Sequence, residues 1–376
     1  MARARKIQTF RLFFPAAAFL AAITVPLSVW AVQSGTGWPP GLLGAGHGHE
    51  LLFGFALALI AGYTLGPQPP VIVLSLGGLW LATRIAWLLS PDSWTAMILD
   101  PLFALTLAWL AVPRFSAAKK WRNRMVGPLI LVTCLIPLVW QASPWLSQLF
   151  GEQLPDQRQL MHFAILCLLL LMTFMGGRII APAAAGTLEK KGIPLEARVQ
   201  PRIEAALIIL LAAAAVFILI PGLAPASGMT LLVASLLILI RTLRWQLWLC
   251  PERPDLIALG IGYLWLSVGA GTTGLTLLAG DPPAASLHLI TTGGLGSLSS
   301  AVTLRLYFQR ARRKPPPRLW VWAMVSLVSL SAIARFMAGT QPFSEPGLLW
   351  LSASCWGLAF LALGVRLAMP MKLTAS

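Results

Sequence analysis

Histidine, cysteine and acidic residues are all scarce in this chain of 376 residues. It has 4 His, 4 Cys and 12 Asp plus Glu, against 28 Lys plus Arg. The cysteines stand singly and form neither a CxxC pair nor a CxxCH motif, which argues against a structural zinc site and a covalently attached c-type haem. We expect all four to be buried as small hydrophobic side chains: Cys134, Cys167, Cys250 and Cys355.

Long polar stretches are also missing, which excludes a sizeable soluble domain. Only 11% of the residues are charged and 57% are hydrophobic, whereas soluble domains average about 25% charged residues. Apolar runs of about 20 residues recur along the chain, and such a run crosses a bilayer as a helix. The sequence predicts an all-α polytopic membrane protein in which residues 1–376 form a single integral membrane domain.

The apolar runs predict about twelve transmembrane helices, separated by Pro- and Gly-rich gaps. The first run is interpreted as a helix and not as a signal peptide, because no clean small-x-small cleavage site follows it. The predicted spans are approximately 12–32, 46–66, 71–89, 94–113, 125–145, 159–181, 203–223, 228–249, 255–279, 285–307, 318–339 and 347–368.

The loop charges predict the orientation, since Lys and Arg favour the cytoplasmic side. The opposite loops carry Asp92, Glu152, Asp156, Asp281 and Glu345, with Arg158 as a basic exception. Both termini are therefore predicted to be cytoplasmic, and short basic loops explain the net charge of +16 without nucleic-acid binding. The basic side holds Arg3, Arg5, Lys6, Arg11, Arg114, Lys119, Lys120, Arg122, Arg124, Lys190, Lys191, Arg198, Arg202, Arg310, Arg312, Arg313, Lys314 and Arg318.

The four histidines all fall near the predicted outer ends of even-numbered spans. His47 and His49 open the second span, His162 the sixth and His288 the tenth, each within roughly 5 Å of the outer boundary. Imidazole is the commonest protein ligand of transition metals and also binds haem iron. The layer of imidazoles predicts a haem or copper site, although an interfacial polar role is the alternative for each one. An ideal helix turns His47 and His49 about 200° apart, so they do not bind one metal from one face.

Three further ionisable residues share this depth: Glu50, Arg84 and Arg335. Such groups in a membrane usually face protein or water and mark functional sites. Arg84 and Arg335 could hold haem propionates, and a salt bridge to Glu50 or snorkelling to the surface fits them equally well. Glu50 is a candidate metal or proton ligand, or the partner that fixes a histidine tautomer, which we favour. Arginines near predicted inner span ends are expected to snorkel: Arg178, Arg241, Arg244 and Arg305.

The motifs, in order, resemble the NnrS family, bacterial inner-membrane proteins associated with nitric oxide stress. Three of these motifs lie in the N-terminal part of the chain: FRLFFPAAAF, GHGHELLFGFALALIAGYTLG and GLWLATRIAWLL. Four more follow in the rest of the chain: FMGGRIIAP, IRTLRWQLW, IGYLWL and HLITTGGLGSLSSAVTLRL. Gly46 and Leu51 replace the Trp and Met of the family's Trp-His-x-His-Glu-Met box. The family's inner-face Gly-His-Thr-Gly-Arg is replaced by residues 309–313, QRARR, so a metal site using that histidine is missing.

The resemblance implies haem b, with copper as a further metal, and binding of nitric oxide or protection against it. The expected cofactor-binding residues are His49, His162, His288, Arg84 and Arg335, and the expected metal ligands are His47, His49, His162, His288 and Glu50. The expected surroundings are the lipid bilayer of the bacterial inner membrane, with no nucleic acid. The residues leave open whether a substrate is turned over. A proton-coupled secondary transporter using the intramembrane His, Glu and Arg is the alternative, and a scaffold without cofactor is a third hypothesis.

Overall fold

The computed structural model describes residues 6–117, 124–151, 154–312 and 314–369. Nearly all of this chain is helical, which confirms the all-α class. Several charged residues that we used to predict the orientation lie outside the described residues: Arg3, Arg5, Lys119, Lys120, Arg122, Glu152 and Arg313.

The first half of the chain contains two short strands and seven α-helices. The strands, β1 and β2, pair antiparallel, with Ile7 opposite Gln68 and Gln8 opposite Pro67. The second predicted span is continuously helical from Gly46 to Thr64, but its middle, Glu50–Ala56, is a π-helix between α2 and α3. The bounds are β1 Ile7–Gln8, α1 Phe10–Gln33, α2 Gly46–His49, α3 Leu57–Thr64, β2 Pro67–Gln68, α4 Pro70–Leu89, α5 Trp94–Ser116, α6 Val126–Phe150 and α7 Gln157–Glu189.

The second half is helical throughout and contains a second π-helix, Leu289–Leu295, between α11 and α12. Short 3₁₀ turns punctuate the chain at Pro40–Leu42, Glu196–Arg198, Leu247–Leu249 and Pro342–Ser344. The α-helices are α8 Pro201–Phe217, α9 Ala224–Leu243, α10 Pro254–Ala279, α11 Ala284–His288, α12 Gly296–Arg312, α13 Arg318–Met337 and α14 Pro346–Ala368.

Ten segments of the described chain are helices long and apolar enough to cross a membrane. They correspond to ten of the predicted spans and make this a multi-pass membrane protein. The other two predicted spans, 46–66 and 285–307, are the two that a π-helix interrupts. The predicted total of twelve and the cytoplasmic termini stay predictions.

The chain divides into two compact units. The first comprises Met1–Met161 and Phe360–Ser376, and the second comprises His162–Ala359. In the first unit the strand pair is secured by Thr9, whose Oγ1 donates to the carbonyl oxygen of Gly66 at 3.0 Å. The single integral domain stays a prediction.

Reciprocal serine hydrogen bonds join helix pairs in the second unit. The Ser235 and Ser267 hydroxyls each donate to the other's carbonyl oxygen at 2.9 Å, which joins α9 to α10. Ser331 and Ser352 do the same between α13 and α14, at 2.8 and 2.9 Å. Small polar residues allow helices to approach closely in a membrane while satisfying their own hydroxyls.

The structure confirms the prediction for the cysteines and corrects the one for two of the arginines. All four cysteines are buried and free, as expected. The expectation that Arg241 snorkels is wrong: it is buried and its Nη1 donates to the carbonyl oxygen of Thr173 at 3.2 Å. Arg305 also points inward, with Nη1 donating to Asp255 Oδ2 at 3.1 Å. Both side chains find protein acceptors, which removes the reason to reach for the surface.

Candidate functional site

Four ionisable side chains meet inside the first unit. His49 ends α2, Glu50 begins the first π-helix, Arg84 comes from α4 and Asp100 from α5. Their exposed fractions are 0%, 2%, 4% and 1% respectively. Because buried charges are stable only when they are paired, each of the four must be balanced by the others. We call this set the His49 cluster.

Arg84 is the centre of the His49 cluster. Its Nη1 donates to Glu50 Oε1 at 2.7 Å and its Nη2 donates to Asp100 Oδ1. The sequence left a salt bridge to Glu50 and a propionate contact open for Arg84, and the structure has the salt bridge. Since each terminal nitrogen already bonds a carboxylate, Arg84 is not arranged to receive a second pair of carboxylates.

His49 faces a carboxylate at each ring nitrogen. Nδ1 lies 3.5 Å from Glu50 Oε1 and Nε2 lies 3.2 Å from Asp100 Oδ2. These are ion-pair distances without hydrogen-bond geometry, because neither nitrogen has a hydrogen-bond partner among the described residues. Two carboxylates and one guanidinium leave one negative charge, so the formal charges of the cluster balance when His49 carries a proton. A protonated imidazole has no electron pair for a metal.

Aromatic rings enclose the imidazole of His49. Trp87 stacks on it with ring centroids 3.5 Å apart and an interplanar angle of 11°. The Phe53 ring lies nearly perpendicular to it and the Trp140 ring is tilted by 52°, each with its centroid 5.0 Å away. Trp87 is itself held, since its Nε1 donates to the carbonyl oxygen of Gly41 at 2.8 Å. A flat macrocycle has no room beside this ring without displacing these residues.

Asp100 is the member of the His49 cluster that the sequence interpretation missed. It lies inside the predicted span 94–113, in the stretch ILDPLF. The rule that selected Glu50 and Arg84 applies equally to Asp100, since any carboxylate within an apolar span suggests function or pairing. It lies six residues from the outer end of that span, about as deep as Arg84 in its own span, so its depth was a signal that could have found it.

Gly54, in the first π-helix, makes room for the His49 cluster. A Cβ at this position would lie 2.9 Å from Arg84 Nη1 and 2.7 Å from Leu20 Cδ2. Its carbonyl oxygen accepts from Trp80 Nε1 at 3.0 Å, one turn before Arg84 on α4. π-Helical turns occur frequently at functional sites, and here the turn follows directly on His49.

His288 occupies the matching position in the second unit. It ends α11, the second π-helix follows directly, and a glycine stands five residues later in both cases, Gly54 after His49 and Gly293 after His288. His288 Nδ1 lies 2.6 Å from the carbonyl oxygen of Ala284. A carbonyl can only accept, so Nδ1 carries the hydrogen and the neutral ring has its electron pair on Nε2. In this tautomer Nε2 is the ring nitrogen with the chemistry of a metal ligand.

Arg335 ends α13 in the same unit and is half-buried. Its Nη1 donates to the carbonyl oxygen of Gly339 at 3.2 Å. No carboxylate of the described chain lies within 4.0 Å of its guanidinium. The two arginines predicted to hold propionates therefore differ, because Arg84 has two carboxylate partners and Arg335 has a backbone carbonyl.

The remaining predicted ligands are half-buried. His47 lies in the single turn of α2, and His162 lies in the second turn of α7. His47 and His49 belong to the first unit, and His162 and His288 to the second. Within the described residues, no group of three or more His, Cys, Asp or Glu side chains is arranged to hold a metal ion, and in the His49 cluster the two carboxylates face opposite nitrogens of one ring. The layer of four histidines stays a prediction.

Comparison with known proteins identifies the family. A family model described as NnrS protein matches residues 7–372, which is nearly the whole chain. No curated protein matches the chain. The match includes every residue of the His49 cluster as well as His288 and Arg335.

Proposed function

The chain belongs to the NnrS family, and from this premise we propose that it is a haem protein of the bacterial inner membrane. It binds nitric oxide or lessens its toxicity, as the family resemblance implies. The observation that carries the proposal is the hydrogen bond from His288 Nδ1 to the Ala284 carbonyl oxygen. This bond prepares Nε2 as a metal ligand and fixes the orientation of the ring.

The described residues fit a haem in part. His288 supplies a prepared imidazole, and His162, in the same unit, is the candidate for a second ligand. His49 does not fit, because both ring nitrogens face carboxylates and Trp87 covers one face of the ring. Haem iron, when bound, supplies an open position for a diatomic gas. The protein's part is to hold the imidazole, surround it with apolar helices and keep bulk water away.

Copper is the second metal of the proposal, and it prefers nitrogen donors. The other imidazole of the first unit is His47, since His49 is engaged in its cluster. One imidazole is a weak copper site by itself, so we treat copper as secondary to haem.

The test is an optical spectrum of the full chain purified in detergent from haem-replete cells, oxidised and then dithionite-reduced, with iron and copper analysis on the same sample. We expect a b-type haem spectrum whose Soret band shifts when nitric oxide is added. A bound haem brings one iron per chain. A haem content below about a tenth per chain would overturn the proposal.

One observation favours a different function, a proton-coupled secondary transporter. The His49 cluster places two carboxylates, a guanidinium and an imidazole inside the first unit. Intramembrane groups of this kind often carry protons in transporters. Proton uptake into liposomes holding haem-free protein, under an imposed membrane potential, would support this function if Asp100→Asn abolished it. Uptake no faster than in empty liposomes would reject it.

A further inference from the structure

We infer that Tyr263 and Arg241 are positioning residues for His162. They hold the carbonyl groups in the middle of α7 and thereby fix the depth and the rotation of the histidine that this helix carries. The inference rests on the proposed haem function, in which His162 is the candidate for a second ligand. It also gives a role to three sequence motifs that the proposed function leaves unused, because these motifs meet in the second unit. They are FMGGRIIAP, IRTLRWQLW and IGYLWL.

The long helix α7 has a position near its middle at which it bends easily. Gly176 and Gly177 are adjacent there, inside the helix. Glycine loses more conformational freedom than any other residue when it becomes helical, and sharp helix kinks occur at small-residue pairs and where a side chain inserts into the backbone ladder. The part of α7 that carries His162 therefore needs contacts with other helices to keep its place.

Tyr263 and Arg241 bind α7 on the His162 side of the glycine pair. The Tyr263 hydroxyl donates to the carbonyl oxygen of Thr173, and it lies 3.1 Å from that of Met172. Arg241 Nη1 donates to the same Thr173 carbonyl oxygen at 3.2 Å. A phenol from α10 and a guanidinium from α9 thus hold two consecutive peptide groups of α7.

The glycine pair is what allows the two side chains to come so close. A Cβ at Gly176 would lie 2.6 Å from Tyr263 Oη, and a Cβ at Gly177 would lie 2.8 Å from Arg241 Cζ. Cβ atoms in folded proteins essentially never approach another atom so closely. A larger residue at either position would therefore push its partner away from the Thr173 carbonyl. We call these four residues the α7 socket: Gly176, Gly177, Arg241 and Tyr263.

The two side chains that bind α7 are themselves held in place. Tyr263 is fully buried and Arg241 is 5% exposed. Trp245 packs against both, with its ring centroid 4.9 Å from that of Tyr263 and 5.5 Å from Arg241 Cζ. Arg241 Nη2 lies 4.0 Å from Glu204 Oε1 in α8, which sets an opposite charge beside the guanidinium. Because packing and charge both restrain them, Tyr263 and Arg241 can fix the position of another helix.

His162 lies on the same face of α7 as the residue that is held. It precedes Thr173 by 11 positions in one continuous helix, which is about three turns and roughly 16 Å along the axis. A shift or rotation at Thr173 is therefore passed on to His162. Beyond the glycine pair α7 has a separate contact, since Arg253 Nη1 donates to Thr187 Oγ1 at 3.4 Å. The socket thus restrains the part of the helix that carries the histidine.

The first experiment compares the haem spectrum and haem content of full-length Tyr263→Phe with those of the wild type and of His162→Ala. Phenylalanine keeps the ring in the socket and removes only the hydroxyl. We expect Tyr263→Phe to keep the wild-type haem content and to shift the Soret band in the same direction as His162→Ala, because the ligand is displaced.

A purely structural role for Tyr263 would lower the melting midpoint and leave the spectrum of the bound haem unchanged. That result would overturn the inference, and so would a wild-type spectrum in His162→Ala. Wild-type protein without haem would instead overturn the proposed function, while the second experiment would still decide whether the socket exists.

The second experiment needs no cofactor and measures melting midpoints. We expect Gly177→Ala to lower the midpoint by about 5 °C or more, because overpacking is destabilising. In an Arg241→Gln background, where the guanidinium is gone, we expect the same substitution to have little effect, since such a cycle isolates the contact between the two residues.

Gly186→Ala is the matched control for the second experiment. It lies in the same helix, and no atom of the described chain lies within 4 Å of a Cβ there. It should leave the midpoint unchanged or raise it in both backgrounds, because alanine is the better helix former. An equal loss from Gly177→Ala in the two backgrounds would overturn the inference, as would a loss from Gly186→Ala as large as that from Gly177→Ala.

Discussion

The two histidine-led π-helices share a local pattern and differ in what surrounds them. Each histidine ends a short α-helical segment, each π-helix has seven residues, and each has a glycine five residues after the histidine. Around His49 stand two carboxylates, a guanidinium and three aromatic rings. Around His288 the structure has a backbone carbonyl at Nδ1. The same backbone device therefore supports a closed ion cluster in one unit and a candidate ligand in the other.

The indoles that neighbour the two glycines show the same divergence. Trp80 Nε1 donates to the carbonyl oxygen of Gly54 itself. Trp265 packs against Gly293, where a Cβ would lie 2.8 Å from its ring, but its Nε1 donates to Ser329 Oγ at 3.0 Å. The first indole is bonded to the π-helix and the second only packs on it. Packing and polar partners, supplied by other helices, decide what each π-helix holds.

The largest effect is expected from a substitution that breaks the His49 cluster. Asp100→Ala removes the carboxylate that pairs Arg84 and faces His49, leaving buried charge without balance. We expect a loss of about 3–5 kcal/mol in stability, as for other buried pairs that lose one partner, measured as a lower midpoint in thermal unfolding followed by size-exclusion fluorescence. Asp92→Ala is the control, because Asp92 is exposed and should change stability by at most about 0.5 kcal/mol. Equal melting midpoints for Asp100→Ala and Asp92→Ala would contradict the conclusion that the His49 cluster stabilises the protein.

An intermediate effect is expected from a substitution in the second π-helix, which follows His288. Gly293→Ala adds a Cβ that would meet the Trp265 ring at 2.8 Å, and overpacking of this kind costs about 1–3 kcal/mol. We expect both a lower melting midpoint and a lower haem content, since the second π-helix positions His288.

The control for Gly293 is Gly78→Ala in α4. No atom lies within 4 Å of a Cβ there, so helix propensity should dominate and raise stability by up to about 1 kcal/mol. If Gly293→Ala and Gly78→Ala had the same melting midpoint, the second π-helix would tolerate the added side chain and the prediction would be wrong.

The smallest effect is expected from an exposed ion pair, and it tests whether burial makes the His49 cluster important for stability. Lys191 Nζ lies 2.8 Å from Glu252 Oε2, but these side chains are 36% and 40% exposed. Hydrogen bonding to Lys191 is the main reason that the pKa of the Glu252 carboxyl is lowered. We expect Lys191→Ala to shift the melting midpoint very little, within the range of exposed pairs, and high salt to remove the shift. A salt-insensitive shift as large as that of Asp100→Ala would contradict this contrast.

Part of the site could be predicted from the sequence. Glu50 and Arg84 stood out because ionisable residues are rare inside apolar spans, and their salt bridge was one of the two outcomes proposed for Arg84. Asp100 meets the same criterion, but the span that carries it has no histidine, and the sequence interpretation missed it. Its contact with His49 joins α5 to α2, and no spacing along the chain encodes that contact.

The π-helices lie beyond sequence reasoning for a different reason. Residues 46–66 and 285–307 have the composition of ordinary spans, and apolar periodicity does not distinguish an α-turn from a π-turn. Each π-helix has a glycine, Gly54 or Gly293, packed closely against side chains from other helices, but glycines in α-helical turns such as Gly62 and Gly177 pack as closely, so this packing does not mark a π-turn either.

The sequence by itself determined that this is a multi-pass helical membrane protein of the NnrS family, because hydrophobic run length and ordered motifs are local properties. Only the tertiary structure decided that Arg84 is occupied by Glu50 and Asp100, that His49 lies under Trp87, and that Arg335 has no carboxylate of the described chain beside it. Those outcomes depend on which helices meet and at what level, and side-chain chemistry in a membrane follows from the partner that a neighbouring helix presents.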